Sequence, residues 1–213
     1  MTSRDVTEAT DDSRDRRSPG STEDSTSVAA DLDPGFDPDA YDAVVYDLDG
    51  TLVRLGVDWN AVAQDVLGVY VEHAVKPPSD GLWELHAAAP EYGIADVVEE
   101  TIAEHEREGA RDSRRLSFAE ILDADRAPRT AVCSLNSEDA CRIALDRHGL
   151  DDRVSAVVGR DTVGTYKPDP EPLLAALDAL SADPARSLFV GDSERDARTA
   201  ERAGVEFRYV NSE

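Results

Sequence analysis

Five short stretches, most of them apolar runs with β-branched residues, are separated by stretches of helical periodicity and leave this chain few architectures. They are Ala43 to Tyr46, Thr130 to Cys133, Val154 to Val158, Ser187 to Val190 and Phe207 to Val210. Runs without polar alternation fit strands covered on both faces. Between them, Ser137 fits the N-cap of a helix running toward Gly149, and Asp169 and Pro170 fit N-cap and N1 of the next. Gly204 fits the stop after Arg195 to Ala203. The alternation predicts an α/β fold with a doubly wound, mostly parallel, Rossmann-like sheet.

One interval breaks the rhythm. From Val53 to about Phe118 no good strand appears, yet Trp59, Val62, Val66, Val69 and Val71, then Ile94, Val97, Val98 and Ile102, recur at helical spacing. The chain therefore reads as an α/β core over 41–53 and 119–213 with a small helical cap over 54–118. The cap directly follows the first strand, above the carboxyl ends of the strands where open α/β sheets bind ligands. The first forty residues hold eleven Asp or Glu against four Arg and few apolar side chains. That composition cannot offset ordering entropy, so 1–40 reads as a disordered acidic tail.

The first run ends in VVYDLDGTLV, and the later runs end in chemistry too. Asp47 and Asp49 alone fit a turn as well as a site. Ser134 closes the second run, Lys167 stands in GTYKPDPEP after the third, and Asp192 and Asp196 stand in VGDSERD after the fourth. Parallel strands bring such ends together. Carboxylates in one crevice repel one another unless a cation compensates, and all-oxygen ligands with a phosphate substrate favour Mg²⁺. Asp47 is placed to attack phosphorus; Asp49, two positions on and on the same face, can serve as acid and then base. Lys167 supplies positive charge for the transferring group.

The ordered set of DLDGT, Ser134, Lys167 in KPDPEP and GDSERDA resembles the haloacid dehalogenase superfamily, in its phosphoglycolate phosphatase-like members with a helical cap. The resemblance covers about residues 41–213. It implies Asp47 as nucleophile, Asp49 as general acid and base, and Thr51, Ser134 and Lys167 as phosphate contacts. It also implies a Mg²⁺ site from Asp47, Asp49 (through its backbone carbonyl) and Asp192, with Asp196 supporting the metal or Lys167. Many relatives place Asn directly after the second-motif hydroxyl. Here Leu135 stands there and Asn136 follows, so either Asn136 takes over the contact or it is missing.

The implied activity is Mg²⁺-dependent hydrolysis of a small phosphomonoester through an aspartyl-phosphate. Two alternatives stay open: a sugar phosphomutase of the same superfamily, and a non-enzymatic phosphoacceptor signalling module. A dehalogenase fits less well, because that branch generally lacks the second acid of the first motif.

A formal net charge of −24 argues against nucleic acid and anionic membrane as partners. No signal or spanning segment is visible, which predicts a cytoplasmic protein; oligomeric state is not readable. Lysine occurs only at Lys76 and Lys167 against twenty Arg, and Asp exceeds Glu, a bias like that of proteins adapted to high salt. Cys133 and Cys141 read as buried free thiols. Trp59, Trp83, Tyr70 and Tyr92 read as core of the insertion, and the acids from Glu99 to Glu108 as a solvated helix face. His73, His86, His105 and His148 lack metal-ligand spacing, and Ser193 and Glu194 suit helix capping.

Overall fold

Val44 and Tyr46 point to one side of the first strand and Ala43 and Val45 to the other, and all four are buried. This double burial requires cover on both faces of the sheet. In the computed structural model, which describes residues 40–123 and 129–210, helices supply it. The five core strands are β1 (Ala43–Tyr46), β4 (Arg129–Cys133), β5 (Ala156–Val158), β6 (Ser187–Gly191) and β7 (Glu206–Tyr209). They form one sheet in the order β5-β4-β1-β6-β7, with every pairing parallel. β1 is central, and the chain winds outward from it first to one side and then to the other.

Helix α4 (Glu138–Arg147) packs Ala140, Cys141, Ala144 and Leu145 against the Val44 face. On the Ala43 face, α5 (Glu171–Ala179) contributes Leu173, Ala176 and Leu177, and α6 (Glu194–Ala203) contributes Ala200. Burying a leucine completely, as at Leu173, stabilises by roughly 1.5–3 kcal/mol over leaving it in water. Gly204 ends α6 in the left-handed conformation, φ 69°, as its position in the sequence predicts. Helix α5 begins one residue later than expected: Pro170 takes the cap position, while the Asp169 carboxylate accepts from Glu171 N at 3.0 Å. Ser137 caps α4 by position only, since its hydroxyl makes no capping bond. Both cysteines are buried and free.

Between β1 and β4 the chain builds a second apolar cluster from α1 (Trp59–Glu72), α2 (Leu82–Ala88) and α3 (Ala95–Arg111). Val62, Val66, Tyr70, Leu85, Val98 and Ile102 fill it. Asp58 starts α1 by accepting from Asn60 N and Ala61 N at 3.0 and 3.2 Å. Two short antiparallel strands, β2 (Val53–Arg54) and β3 (Arg114–Arg115), hold the entry and exit of this insertion side by side. Gly56 N donates to Gly109 O at 3.0 Å. A Cβ on Gly109 would lie 2.4 Å from Val57 Cγ2, so only glycine permits that approach. No helix among the described residues is long and apolar enough to cross a membrane. The acidic segment 1–39 lies outside the described residues.

Candidate active site

β1 extends by one ladder bond beyond its last strand residue: Asp47 N donates to Val190 O at 2.8 Å. That bond fixes Asp47 at the carboxyl edge between β4 and β6, where the strand order turns. Its carboxylate meets Lys167, 120 positions away, with Nζ to Oδ1 at 2.7 Å. The same ammonium reaches Asp196 Oδ1 at 2.5 Å. Asp47, Lys167 and Asp196 are 6 %, 2 % and 0 % exposed, so this bridge is shielded from solvent.

The turn after Asp47 aims the next two groups. Leu48 O accepts from the amides of Thr51, Leu52 and Val53, and Gly50 takes φ +95°. Asp49 then turns its Oδ1 toward Leu55 N at 3.0 Å, with an Arg54 guanidinium nitrogen 3.8 Å away. A Cβ on Gly50 would lie 2.0 Å from Asp192 Oδ2. The glycine therefore serves two needs, a left-handed turn and the close approach of Asp192. Gly191 plays the second part for Asp196, whose side-chain atoms lie 2.8 Å from where a Cβ would stand. Asp196 Oδ2 accepts from Ser193 N at 3.1 Å and from the Ser193 hydroxyl, closing a capping box at the start of α6.

The second-motif loop is held from the insertion. Ser134 N continues the ladder to Val158 O at 2.9 Å. Its Oγ donates to Asn136 Oδ1 at 3.1 Å, and Asn136 Nδ2 donates to Glu106 of α3 at 3.3 Å. Asn136 thus orients Ser134. Glu106 also accepts from Ser137 N at 2.9 Å and from both terminal nitrogens of Arg160, at 2.6 and 3.1 Å. Arg160 reaches Leu135 O at 2.7 Å and Glu99 at 2.6 Å. The run from Glu99 to Glu108 is therefore no uniformly solvated face: Glu106 is fully buried and Glu99 partly so. Nothing in helical spacing marks those two acids, although an arginine directly after a buried strand, as in VVGRD, is a signal that partners are needed.

A cavity of about 400 Å³ opens above these groups. Asp47, Asp49, Ser134, Lys167 and Asp192 line its floor and sides, together with Asn136, Arg195, Trp59 and Trp83. Trp59 and Trp83 are thus wall residues and not core of the insertion, with rings 6.4 Å apart; Tyr70 is the buried one. Thr51 does not join the cavity. Its side chain is wholly buried, and its hydroxyl has no partner among the described residues.

Burial pushes the Asp47 carboxyl up to about 7, with Lys167 opposing and Asp196 adding to the rise. Burial also raises Asp49, against Leu55 N and Arg54, and raises Asp192, helped by Asp196. Burial works against the Lys167 ammonium, but Asp47 and Asp196 outweigh it and raise its pKa. Three carboxyls held above their ordinary range by lost solvation form a set that a hard cation would relieve. One oxygen each of Asp47, Asp192 and Asp196 lies within 4.8 Å of the others. Because both Asp196 oxygens are engaged by Lys167 and Ser193, Asp47 and Asp192 are the members free to ligate. The donor set fits an oxygen-seeking divalent ion.

The family model of the haloacid dehalogenase-like hydrolases matches residues 88–210. A phosphoglycolate phosphatase of Rhodospirillum rubrum is 36 % identical over 189 residues, 76 % of each chain. An N-acetylmuramic acid 6-phosphate phosphatase of Pseudomonas putida is 30 % identical over 190 residues, 80 % of this chain and 85 % of that one. Among solved structures, a HAD-superfamily hydrolase of Geobacter sulfurreducens aligns with TM-score 0.54 and 29 % identity, covering 78 % of this chain and 86 % of its own. CbbY of Rhodobacter sphaeroides, solved with phosphate, shares the fold at TM-score 0.58 and 20 % identity, over 79 % and 85 %. With the sheet order and the gathered strand ends, these likenesses settle the family: the chain belongs to the haloacid dehalogenase-like hydrolases and is an enzyme of their phosphatase type.

Proposed function

We propose that this enzyme is a Mg²⁺-dependent phosphomonoesterase acting on a small phosphorylated metabolite through an aspartyl-phosphate on Asp47. The observation that carries this reading is the Lys167 bridge, which orients the Asp47 carboxylate at 2.7 Å inside the cavity and brings a buried positive charge beside it. A group so fixed needs no reorganisation before attack.

In the first step an Asp47 oxygen bonds to phosphorus as the bond to the ester oxygen breaks. Asp49, its pKa raised by burial, donates its proton to the departing alkoxide. In the second step Asp49 takes a proton from water, whose oxygen attacks phosphorus and releases Asp47 and inorganic phosphate. Ser134, fixed by Asn136, donates to a phosphoryl oxygen, and Lys167 offsets charge developing on the transferred group. Asp47, Asp192 and the backbone carbonyl of Asp49 would hold Mg²⁺, which when bound neutralises phosphoryl oxygens. Residues 54–118 act as the cap that closes the cavity over the substrate, with Trp59 and Trp83 as its inner wall.

The test is steady-state hydrolysis of p-nitrophenyl phosphate by wild type and Asp47→Asn with Mg²⁺ and with a chelator. Loss of the nucleophile is expected to lower kcat by at least ~10³-fold. Chelation should abolish turnover reversibly. Wild-type turnover by the variant would refute the assignment of Asp47.

A further inference from the structure

Trp83 carries two guanidinium groups at once, and their situations differ. Arg160 sits 5.9 Å from the ring centroid with Glu99 and Glu106 already bound to it. Arg195 sits 5.6 Å from the same ring, and among the described residues no carboxylate pairs with it. This is unusual for a half-buried arginine in a chain with 46 acids against 22 basic residues. The neighbouring acid Glu194 is engaged elsewhere, by Arg198 at 3.2 Å and by Tyr209 at 3.1 Å. Arg195 opens instead onto the cavity that holds Asp47 and Lys167.

Stacking on an indole orients a guanidinium without consuming its hydrogen-bond donors. Arg195 is therefore a planar, positively charged fork presented to the substrate cavity, its anion to come from outside. The phosphoryl group has its own partners in Lys167 and Ser134, so Arg195 is free for a different group. Resting on the phosphatase reading above, we propose that Arg195 determines specificity by binding a second anionic group of the substrate, a carboxylate or a second phosphate close to the ester. A cavity of about 400 Å³ admits only a short connection between the two groups.

The experiment compares three esters built on a two-carbon chain, 2-phosphoglycolate, 2-hydroxyethyl phosphate and ethylene glycol bisphosphate, with p-nitrophenyl phosphate as a general reporter. Wild type is expected to prefer at least one of the two esters that carry a second anionic group over 2-hydroxyethyl phosphate by tenfold or more in kcat/KM, mainly through KM. Whichever of the two is preferred identifies the anion. Arg195→Met should bring that ratio near one, and Arg195→Lys should restore part of it. A flat ratio in wild type that still hydrolyses p-nitrophenyl phosphate overturns the role of Arg195 alone. An undiminished ratio in Arg195→Met does the same. Failure of wild type to hydrolyse any of the four overturns the phosphatase reading and this inference with it.

Discussion

Glu106 and Arg160, 54 positions apart, meet in the interior through two hydrogen bonds of 2.6 and 3.1 Å, and neither side chain is more than 1 % exposed. The pair ties helix α3 of the insertion to the loop that carries Ser134. Removing one member of a buried ion pair leaves the other uncompensated, a cost of about 3–5 kcal/mol. Arg160→Met strands Glu106 and should lower the urea midpoint accordingly. Glu106→Gln, which leaves Arg160 its Glu99 contact, should cost less stability yet still lower kcat, because Asn136 and the Ser137 amide lose a charged acceptor. Equal stability losses in the two variants would contradict this ordering.

Glu99 has a distinct acid signature. Burial alone would raise its pKa, but His86 and Arg160 hold it down to about 2. A carboxylate depressed in the folded state contributes stability that is full above its unfolded pKa and disappears as pH falls through the folded value. Glu99→Gln should therefore show a stability deficit that is constant near neutrality and narrows between about pH 4.5 and pH 2. Because the Glu99 side chain is 30 % exposed, solvent screening keeps the deficit modest, on the order of 1 kcal/mol. Chemical denaturation at a series of pH values in matched salt checks the narrowing.

Gly50→Ala confronts a positive φ and the Asp192 carboxylate at once. The left-handed conformation alone costs an alanine roughly 1–2 kcal/mol. Displacement of Asp192 should further weaken half-saturation by Mg²⁺ at least tenfold, read from activity against metal concentration. Gly204→Ala, also at positive φ but with nothing within 4 Å of its Cβ, should lose stability while keeping the metal response.

Net charge of −24 makes the folded state repel itself at low ionic strength. Molar salt shortens the Debye length to about 3 Å and screens most of that repulsion. Thermal melts are expected to rise by ten degrees or more between 0.1 M and 2 M potassium chloride. Equal Tm values would remove the reading of salt adaptation.

The five core strands were legible to within two residues because short, mostly apolar runs with β-branched residues, set between stretches of helical periodicity, leave little choice of conformation. Asp47, Ser134 and Asp192 follow from that, since ladder register places whatever ends a parallel strand at one edge. Side-chain direction was less legible. Trp59 shares helical spacing with Val62 and Val66 and so reads as core, yet it stands at the first turn, 36 % exposed, facing the strand ends. The burial of Glu106 depends on Arg160 arriving from another part of the chain, and local periodicity contains no trace of such a partner. Thr51 shows the reverse: a polar residue beside the first motif that turns inward, away from the cavity.

The paired strands Val53–Arg54 and Arg114–Arg115 have a corollary. Since they bring the insertion's two ends together, the helices between them can be exchanged without displacing Asp47, Ser134 or Asp192, which the ends of the core strands hold. The freedom is bounded by one anchor: any replacement must supply its own anion for Arg160, or the loop bearing Ser134 loses its footing.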